Sequence, residues 1–128
     1  MRHAIVVGAL TLAAFQGSRW KEIGKTSAGN SVYVAPKSVT TRNGIITADL
    51  QVKFATPVKV GNGEWRLSRH VAMFDCAKKT VAAKSTTYYA DYAGTKVVER
   101  SAAKIPGFGP AIGGSMTQVA LDYLCAKK

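Results

Sequence analysis

The most restrictive feature of the sequence is a strict alternation of apolar and polar residues over positions 46–54. The apolar positions are Ile46, Ala48, Leu50, Val52 and Phe54, and the polar positions are Thr47, Asp49, Gln51 and Lys53. A period of two residues is typical of a β-strand that buries one face and leaves the other in water. The chain must therefore form a sheet whose apolar face another element covers, and Gln51 is predicted to be solvated.

Five further segments favour strands, at positions 19–25, 31–35, 64–77, 81–90 and 96–101. Turn signals separate them, including Asn43-Gly44 and Gly61-Asn62-Gly63, and Pro57 is predicted to end the alternating strand. Positions 64–77 have apolar residues at both odd and even positions and so on both faces of a strand, which indicates a strand in the middle of the sheet or one with a bulge. The short connections predict a six-stranded antiparallel meander.

The pattern changes after position 102. Prolines and glycines between positions 103 and 115 disfavour regular structure. Ser115 is then a candidate helix N-cap, with Gln118 completing a capping box. The apolar stripe that follows consists of Met116, Val119, Ala120, Tyr123 and Leu124. A helix this short is unstable alone, so it is expected to pack on the sheet. The predicted fold class is α+β.

The N-terminus predicts export. A basic start, Met1-Arg2-His3, precedes twelve uncharged residues, too few to cross a bilayer as a helix. This pattern is typical of a signal peptide over residues 1–17, with an uncertain cleavage site, and the alternative is a buried first element. Phe15 stands where a lipoprotein signal would need cysteine. We therefore expect a domain over residues 18–128 without a lipid anchor or a transmembrane segment.

The chain has two cysteines, Cys76 and Cys125. In an oxidising compartment two cysteines most often pair, and the predicted helix would carry Cys125 to the long strand that contains Cys76. The alternative is two unrelated buried thiols. Two cysteines also exclude a zinc site with four cysteine ligands.

The order of these features resembles the surface-adhesin protein E family of exported Gram-negative proteins. The segments that carry the resemblance are Trp20-Lys21-Glu22-Ile23-Gly24, Val32-Tyr33-Val34, Ser38-Val39, Asn43-Gly44, Trp65-Arg66-Leu67-Ser68, Phe74-Asp75-Cys76, the stretch from Pro110 to Ser115, and that from Val119 to Cys125. The resemblance implies a six-stranded antiparallel sheet with a C-terminal helix tied to it by a disulfide.

The resemblance also implies a function. The family's named activity is binding of host extracellular-matrix and serum proteins at the bacterial surface, and dimer formation and haem binding are also attached to it. The sequence departs from the lipid-anchored members at Phe15. No short motif allows a ligand-binding residue to be transferred, because a shared fold does not carry binding with it.

Few residues could support catalysis. His70 is the only histidine after the predicted signal, and no serine or cysteine nucleophile has a base and a carboxylate beside it in sequence. We therefore predict a protein that is not an enzyme, with no metal and no cofactor. His70 itself is expected to be a solvated strand residue.

The remaining signal is positive charge. The chain has 18 Lys and Arg against 7 Asp and Glu, a net charge of +11, which attracts anionic partners. A candidate basic cluster comprises Lys53, Lys59, Arg66, Arg69 and Lys84, and the alternative is charge scattered for solubility. Expected partners are a host matrix or serum protein or an anionic polysaccharide, since export disfavours nucleic acid as the primary partner. A periplasmic structural or inhibitor protein is the alternative function.

Overall fold

The computed structural model describes residues 19–61 and 63–126. The predicted signal peptide over residues 1–17 and the central residue of the predicted turn at Asn62 lie outside this part. The strands are β1 (Lys21–Lys25), β2 (Ser31–Val34), β3 (Thr40–Arg42), β4 (Ile45–Val60), β5 (Gly63–Asp75), β6 (Thr80–Tyr89), β7 (Val97–Ala102) and β8 (Gly109–Pro110), and the helix α1 spans Met116–Ala126.

Six of these strands form the main antiparallel sheet, in the spatial order β1-β2-β4-β5-β6-β7. These six strands have the same order in the sheet as along the chain, so the predicted meander is confirmed. The two-residue β8 pairs with β6, and β3 pairs with β4 beyond the end of β2. The long strand β5 lies in the middle, and its register with β6 shifts between Val71 and Ala72. Both explanations for its mixed pattern are therefore confirmed.

The alternating strand builds the core as predicted. Ile46, Ala48, Leu50 and Val52 are almost fully buried, and they share a face with their partners on β5, among them Phe74 and Ala72. The helix covers this face, which we call the helix face, with Ala120, Leu121 and Leu124. Apolar burial of this kind is the dominant stabilising contribution to a domain of this size.

Cys76 and Cys125 form a disulfide with 5.5 Å between their Cα atoms, so the predicted pairing is confirmed. The cysteines are 49 positions apart, and the bond joins the residue after β5 to the last turn of α1. This link fixes the C-terminal end of the helix over the sheet.

The helix begins directly after Ser115, as predicted, and the Ser115 carbonyl accepts the first helical hydrogen bond, but the side-chain bonds of the predicted capping box are not formed. The Ser115 hydroxyl donates to the Ile112 carbonyl, and the Gln118 amide donates to the Asp122 carboxylate at 2.7 Å. Both side chains of the predicted capping box are therefore engaged elsewhere. The apolar stripe also includes Leu121, which is buried and is not among the residues predicted for it.

Strand β4 continues to Val60, so the prediction that Pro57 ends it is wrong. Its register with β5 shifts between Lys53 and Val58, and Pro57 lies inside that irregular stretch. A proline is tolerated there because no ladder hydrogen bond requires its missing N–H. The Asn30 side chain accepts a hydrogen bond from the Ala55 amide at 2.9 Å and supports the irregular segment.

Candidate functional site

The face of the sheet that α1 does not cover, here called the opposite face, carries part of the predicted basic cluster. Cross-strand partners share a face, and Lys25, Ser31 and Lys53 are successive partners across β1, β2 and β4. The Lys25 ammonium donates to the Ser31 hydroxyl at 3.0 Å and forms an exposed ion pair with Glu22 at 3.5 Å. The Lys53 ammonium lies 5.2 Å from the centre of the Tyr33 ring. Two exposed lysines therefore flank one polar position at this end of the sheet.

Arg69 lies on the same face as Lys53 but is held by protein groups. Its Nε donates to Gln51 Oε1 at 2.9 Å, and its guanidinium lies 5.5 Å from the Trp20 ring centre and 5.2 Å from that of Tyr89. A Cβ atom on Gly94 would come within 2.6 Å of Arg69 Nη2, so that loop also lies against it. Arg69 is thus a packing residue of this face rather than a free cation.

This cluster explains why the prediction of a solvated Gln51 is wrong. Gln51 does point away from the helix face, as the alternation requires, but it is only 3% exposed. The side chain of Arg69 donates a hydrogen bond to Gln51 on this face, and the rings of Trp20 and Tyr89 lie in turn against the Arg69 guanidinium. The alternation shows on which face of the sheet Gln51 lies. It does not show that Gln51 is buried on that face.

The other members of the predicted cluster lie apart from Lys53. Arg66 forms an ion pair with Glu64 at 3.5 Å, and Glu64 is also the cross-strand partner of Lys59. Lys84 occupies the extra position in β6 where the register with β5 shifts. The structure therefore places Lys53 and Arg69 on one face of adjoining strands, Lys59 and Arg66 around one acid, and Lys84 by itself on β6.

A groove of about 350 Å³ opens on the helix face between the sheet and the start of α1. Its walls include Val52, Phe54, Met116 and a stacked pair, Trp65 and Tyr88, whose ring centres are 3.7 Å apart. None of its lining residues is an acid, a lysine or an arginine. No local sequence pattern predicts this groove, because its walls come from separate segments of the chain.

His70 lies in the lining of this groove, and the prediction of a solvated histidine is wrong. Its Nε2 is 2.8 Å from the Ser68 hydroxyl and its Nδ1 is 3.2 Å from the Thr86 hydroxyl. Desolvation by burial lowers the pKa of His70 to about 4. The signal that could have predicted this is the spacing of Ser68 and His70, two residues apart on one strand and hence on one face.

The Ser68–His70 contact resembles a nucleophile beside a base but lacks what the chemistry requires. Ser68 is 1% exposed, so a substrate cannot reach its hydroxyl. The group on the far side of the imidazole is the hydroxyl of Thr86, whereas a catalytic triad has a carboxylate there. An imidazole with a pKa of about 4 is also a weak base at neutral pH. The three side chains instead satisfy one another's polar atoms beneath the groove.

The described residues hold no group of three histidines, cysteines or acids that could bind a metal ion. Both ring nitrogens of His70 face protein hydroxyls, so His70 does not present a free nitrogen to a haem iron. Within the same part of the chain, no helix has the length and apolar character needed to span a bilayer.

Comparison with known proteins agrees with this architecture. Residues 20–126 match the family model described as surface-adhesin protein E. No curated protein sequence matches the chain significantly. A crystal structure of Haemophilus influenzae protein E, in crystal form II, superposes with a TM-score of 0.61 at 19% identity, covering 86% of this chain and 89% of that one. A second structure of the same protein gives a TM-score of 0.57 at 19% identity, with 86% of each chain covered.

At this identity the structural likeness establishes the fold, whereas the family model spans almost the whole described domain. The sheet order, the C-terminal helix and the Cys76–Cys125 disulfide are those that the sequence resemblance implied. The chain belongs to the surface-adhesin protein E family.

Proposed function

We propose that this protein is an exported, non-enzymatic adhesin module that binds an anionic glycan of the host surface or matrix. Support comes from membership of the adhesin family and from the excess of 18 basic over 7 acidic residues. The observation that carries the proposal is the juxtaposition of exposed Lys25 and Lys53 across one row of the sheet. Sulfate and carboxylate groups spaced along a glycan would complement such a row.

The Lys25–Lys53 row suits a polyanion better than a small anion. Two antiparallel pairings separate the Cα atoms of Lys25 and Lys53, so they lie about 10 Å apart, a spacing at which each ammonium can meet a different anionic group of one ligand. The Tyr33 ring under the Lys53 ammonium and the Ser31 hydroxyl under that of Lys25 hold both cations near the sheet. Ligands that carry several negative charges would therefore gain most from this surface.

Retention on immobilised heparin tests the proposal. We expect the protein to bind at low salt and to elute as salt rises, because screening weakens charge attraction between exposed groups. Replacing Lys25 and Lys53 together by Gln should weaken retention. The matched control replaces Arg42 and Lys78 by Gln, because both residues are exposed and lie near Ile45 at the other end of the sheet. At 3.3 Å per residue, Ile45 is about 26 Å from Lys53 along β4.

Equal loss of retention in both double variants would contradict a built site and indicate general charge attraction. Binding that does not respond to salt would contradict the electrostatic basis altogether.

Protease treatment of intact cells tests whether the protein is exposed at the cell surface. The adhesin function requires that external protease digest the protein without lysis. Protection in intact cells, with digestion after the outer membrane is opened, would indicate a periplasmic envelope protein.

A further inference from the structure

The two edges of the main sheet differ in how much of them is covered. At the β1 edge, the backbone of Gly24 is so close to α1 that an added Cβ would lie 2.8 Å from Val119 Cγ1. At the β7 edge, all six residues of Val97–Ala102 are exposed. Within residues 19–61 and 63–126, no strand pairs with the outer side of β7. The structure therefore has one edge whose backbone is accessible to another chain.

The hydrogen-bond register shows which backbone groups β7 presents outward. The Ala103 amide donates to the Lys84 carbonyl, so the neighbouring pair of Ser85 and Ala102 is of the non-hydrogen-bonded type. Backbone groups of alternate residues in a strand point the same way, so Arg100, two residues before Ala102, has the same orientation. The N–H and C=O groups of Arg100 and Ala102 consequently point away from β6.

The start of β7 repeats this arrangement. The Ala90 amide donates to the Lys96 carbonyl, which makes the pair of Tyr89 and Val97 non-hydrogen-bonded as well. The register shift after Tyr88 inserts Val98 and keeps the backbone groups of Val97 pointing outward. Three residues of β7 thus present main-chain donors and acceptors to solvent.

The side chains around this edge indicate the chemistry of a partner. Val97 and Val98 are 50% and 40% exposed, which is apolar surface that an added strand would cover. Lys96, Arg100 and Lys104 contribute three positive charges along the segment, against the single negative charge of Glu99. Like charges would oppose pairing of β7 with a second copy of itself, whereas an acidic chain would be attracted.

We propose that β7 binds an extended, acidic segment of a partner protein, which adds to the sheet as a further strand. Main-chain hydrogen bonds to Val97, Arg100 and Ala102 would supply affinity, and alternate side chains of the segment would meet the valines and the cations. This proposal adds a protein partner to the anionic glycan of the proposed function. It rests on different residues, so either proposal can fail without the other.

The probe is a fluorescent eight-residue peptide that alternates valine with glutamate, with its binding followed by fluorescence anisotropy. Ala102→Pro removes one outward N–H without removing a bond to β6, and Ala102→Val is the control that keeps the N–H. We expect at least tenfold weaker binding in the proline variant and little change in the valine variant. Thermal unfolding of both variants verifies that they are folded.

Changes in the peptide keep the test decisive if Ala102→Pro does not fold. Methylating alternate backbone nitrogens of the peptide should abolish binding, and replacing its glutamates by lysines should weaken it at least tenfold. Slowed hydrogen exchange at the Arg100 and Ala102 amides in the complex is the direct signature of strand addition. Unchanged binding by the methylated peptide, unprotected amides, or a protein dimer that excludes the peptide would overturn the proposal. Heparin retention of Ala102→Val and Ala102→Pro should equal that of the unchanged protein.

Discussion

The two faces of the sheet are buried to different extents and by different chemistry. On the helix face, β4 and β5 present apolar side chains such as Leu50 and Phe74 to α1, and a disulfide holds the helix in place. On the opposite face, the same strands present Gln51 and Arg69, which are joined by a hydrogen bond, and the Trp20 ring lies against the Arg69 guanidinium. The comparison shows that strict alternation fixes which residues share a face but not whether the polar face is solvated.

The largest expected effect comes from placing a charge on the helix face. Leu50→Asp should unfold the protein, because Leu50 is 0% exposed and a carboxylate there would have neither water nor a cationic partner. Lys53→Asp on the same strand is the control, and it should leave the fold intact since Lys53 is exposed on the opposite face. Circular dichroism of the two variants measures the difference. A folded Leu50→Asp variant would contradict the burial of Leu50 on the helix face.

Removing the covalent link should weaken the cover of the helix face without changing the sheet. Loop-closure entropy for the 49-residue separation predicts that Cys76→Ser with Cys125→Ser lowers the free energy of unfolding by about 4 kcal/mol. The helix is too short to be stable on its own, so its amides should exchange faster than those of β4 and β5. Urea unfolding and hydrogen exchange measure both effects. Uniform exchange of helix and sheet would contradict a separately held helix.

Acid should destabilise the helix face through His70. The pKa of this group is about 4 in the folded protein and near 6.5 when unfolded, so below pH 6.5 protons bind preferentially to the unfolded chain. The free energy of unfolding should therefore fall by at most about 3 kcal/mol as the pH decreases from 6.5 to 4. His70→Gln should lack this component of the pH dependence. Identical pH profiles would show that the ring is not desolvated in the fold.

A smaller effect is expected on the opposite face. Gln51→Leu removes the acceptor for Arg69 Nε and should cost about 1–3 kcal/mol, the usual penalty for leaving a buried donor unpaired. Gln51→Glu keeps an acceptor and adds a charge opposite the guanidinium, so it should stay close to the unchanged protein. Chemical unfolding of both variants measures the contrast. If Leu is tolerated as well as Glu, the contact between Gln51 and Arg69 contributes nothing to stability.

Much of the fold could be predicted because its signals are local. The alternation over positions 46–54 identified the core face of β4, and the turn residues separated six strands in the order in which they pair. The short apolar helix required a sheet to cover, and its position brought Cys125 to Cys76. Pro57 misled the prediction, because the penalty of a proline depends on whether its N–H would face a partner strand, which the sequence does not show.

The candidate sites could be predicted only in part. Net charge indicated an anionic partner, but the pairing of β1 with β2 and of β2 with β4 decided that Lys25 stands beside Lys53. Arg69 belonged to the predicted basic cluster, yet Trp20, Tyr89 and Gln51 surround it. Residues distant in sequence make these contacts, so no local pattern could predict them.

The sequence by itself determined the periodicity, the element order and the excess of positive charge, since each depends on residue type and spacing along the chain. Only the tertiary structure decided that His70 is desolvated between Ser68 and Thr86, and that Gln51 is buried on the polar face of β4. It also decided that the outer backbone of β7 has no neighbouring strand among the described residues. Burial and strand pairing are properties of several segments together, and local sequence patterns carry no record of which segments meet.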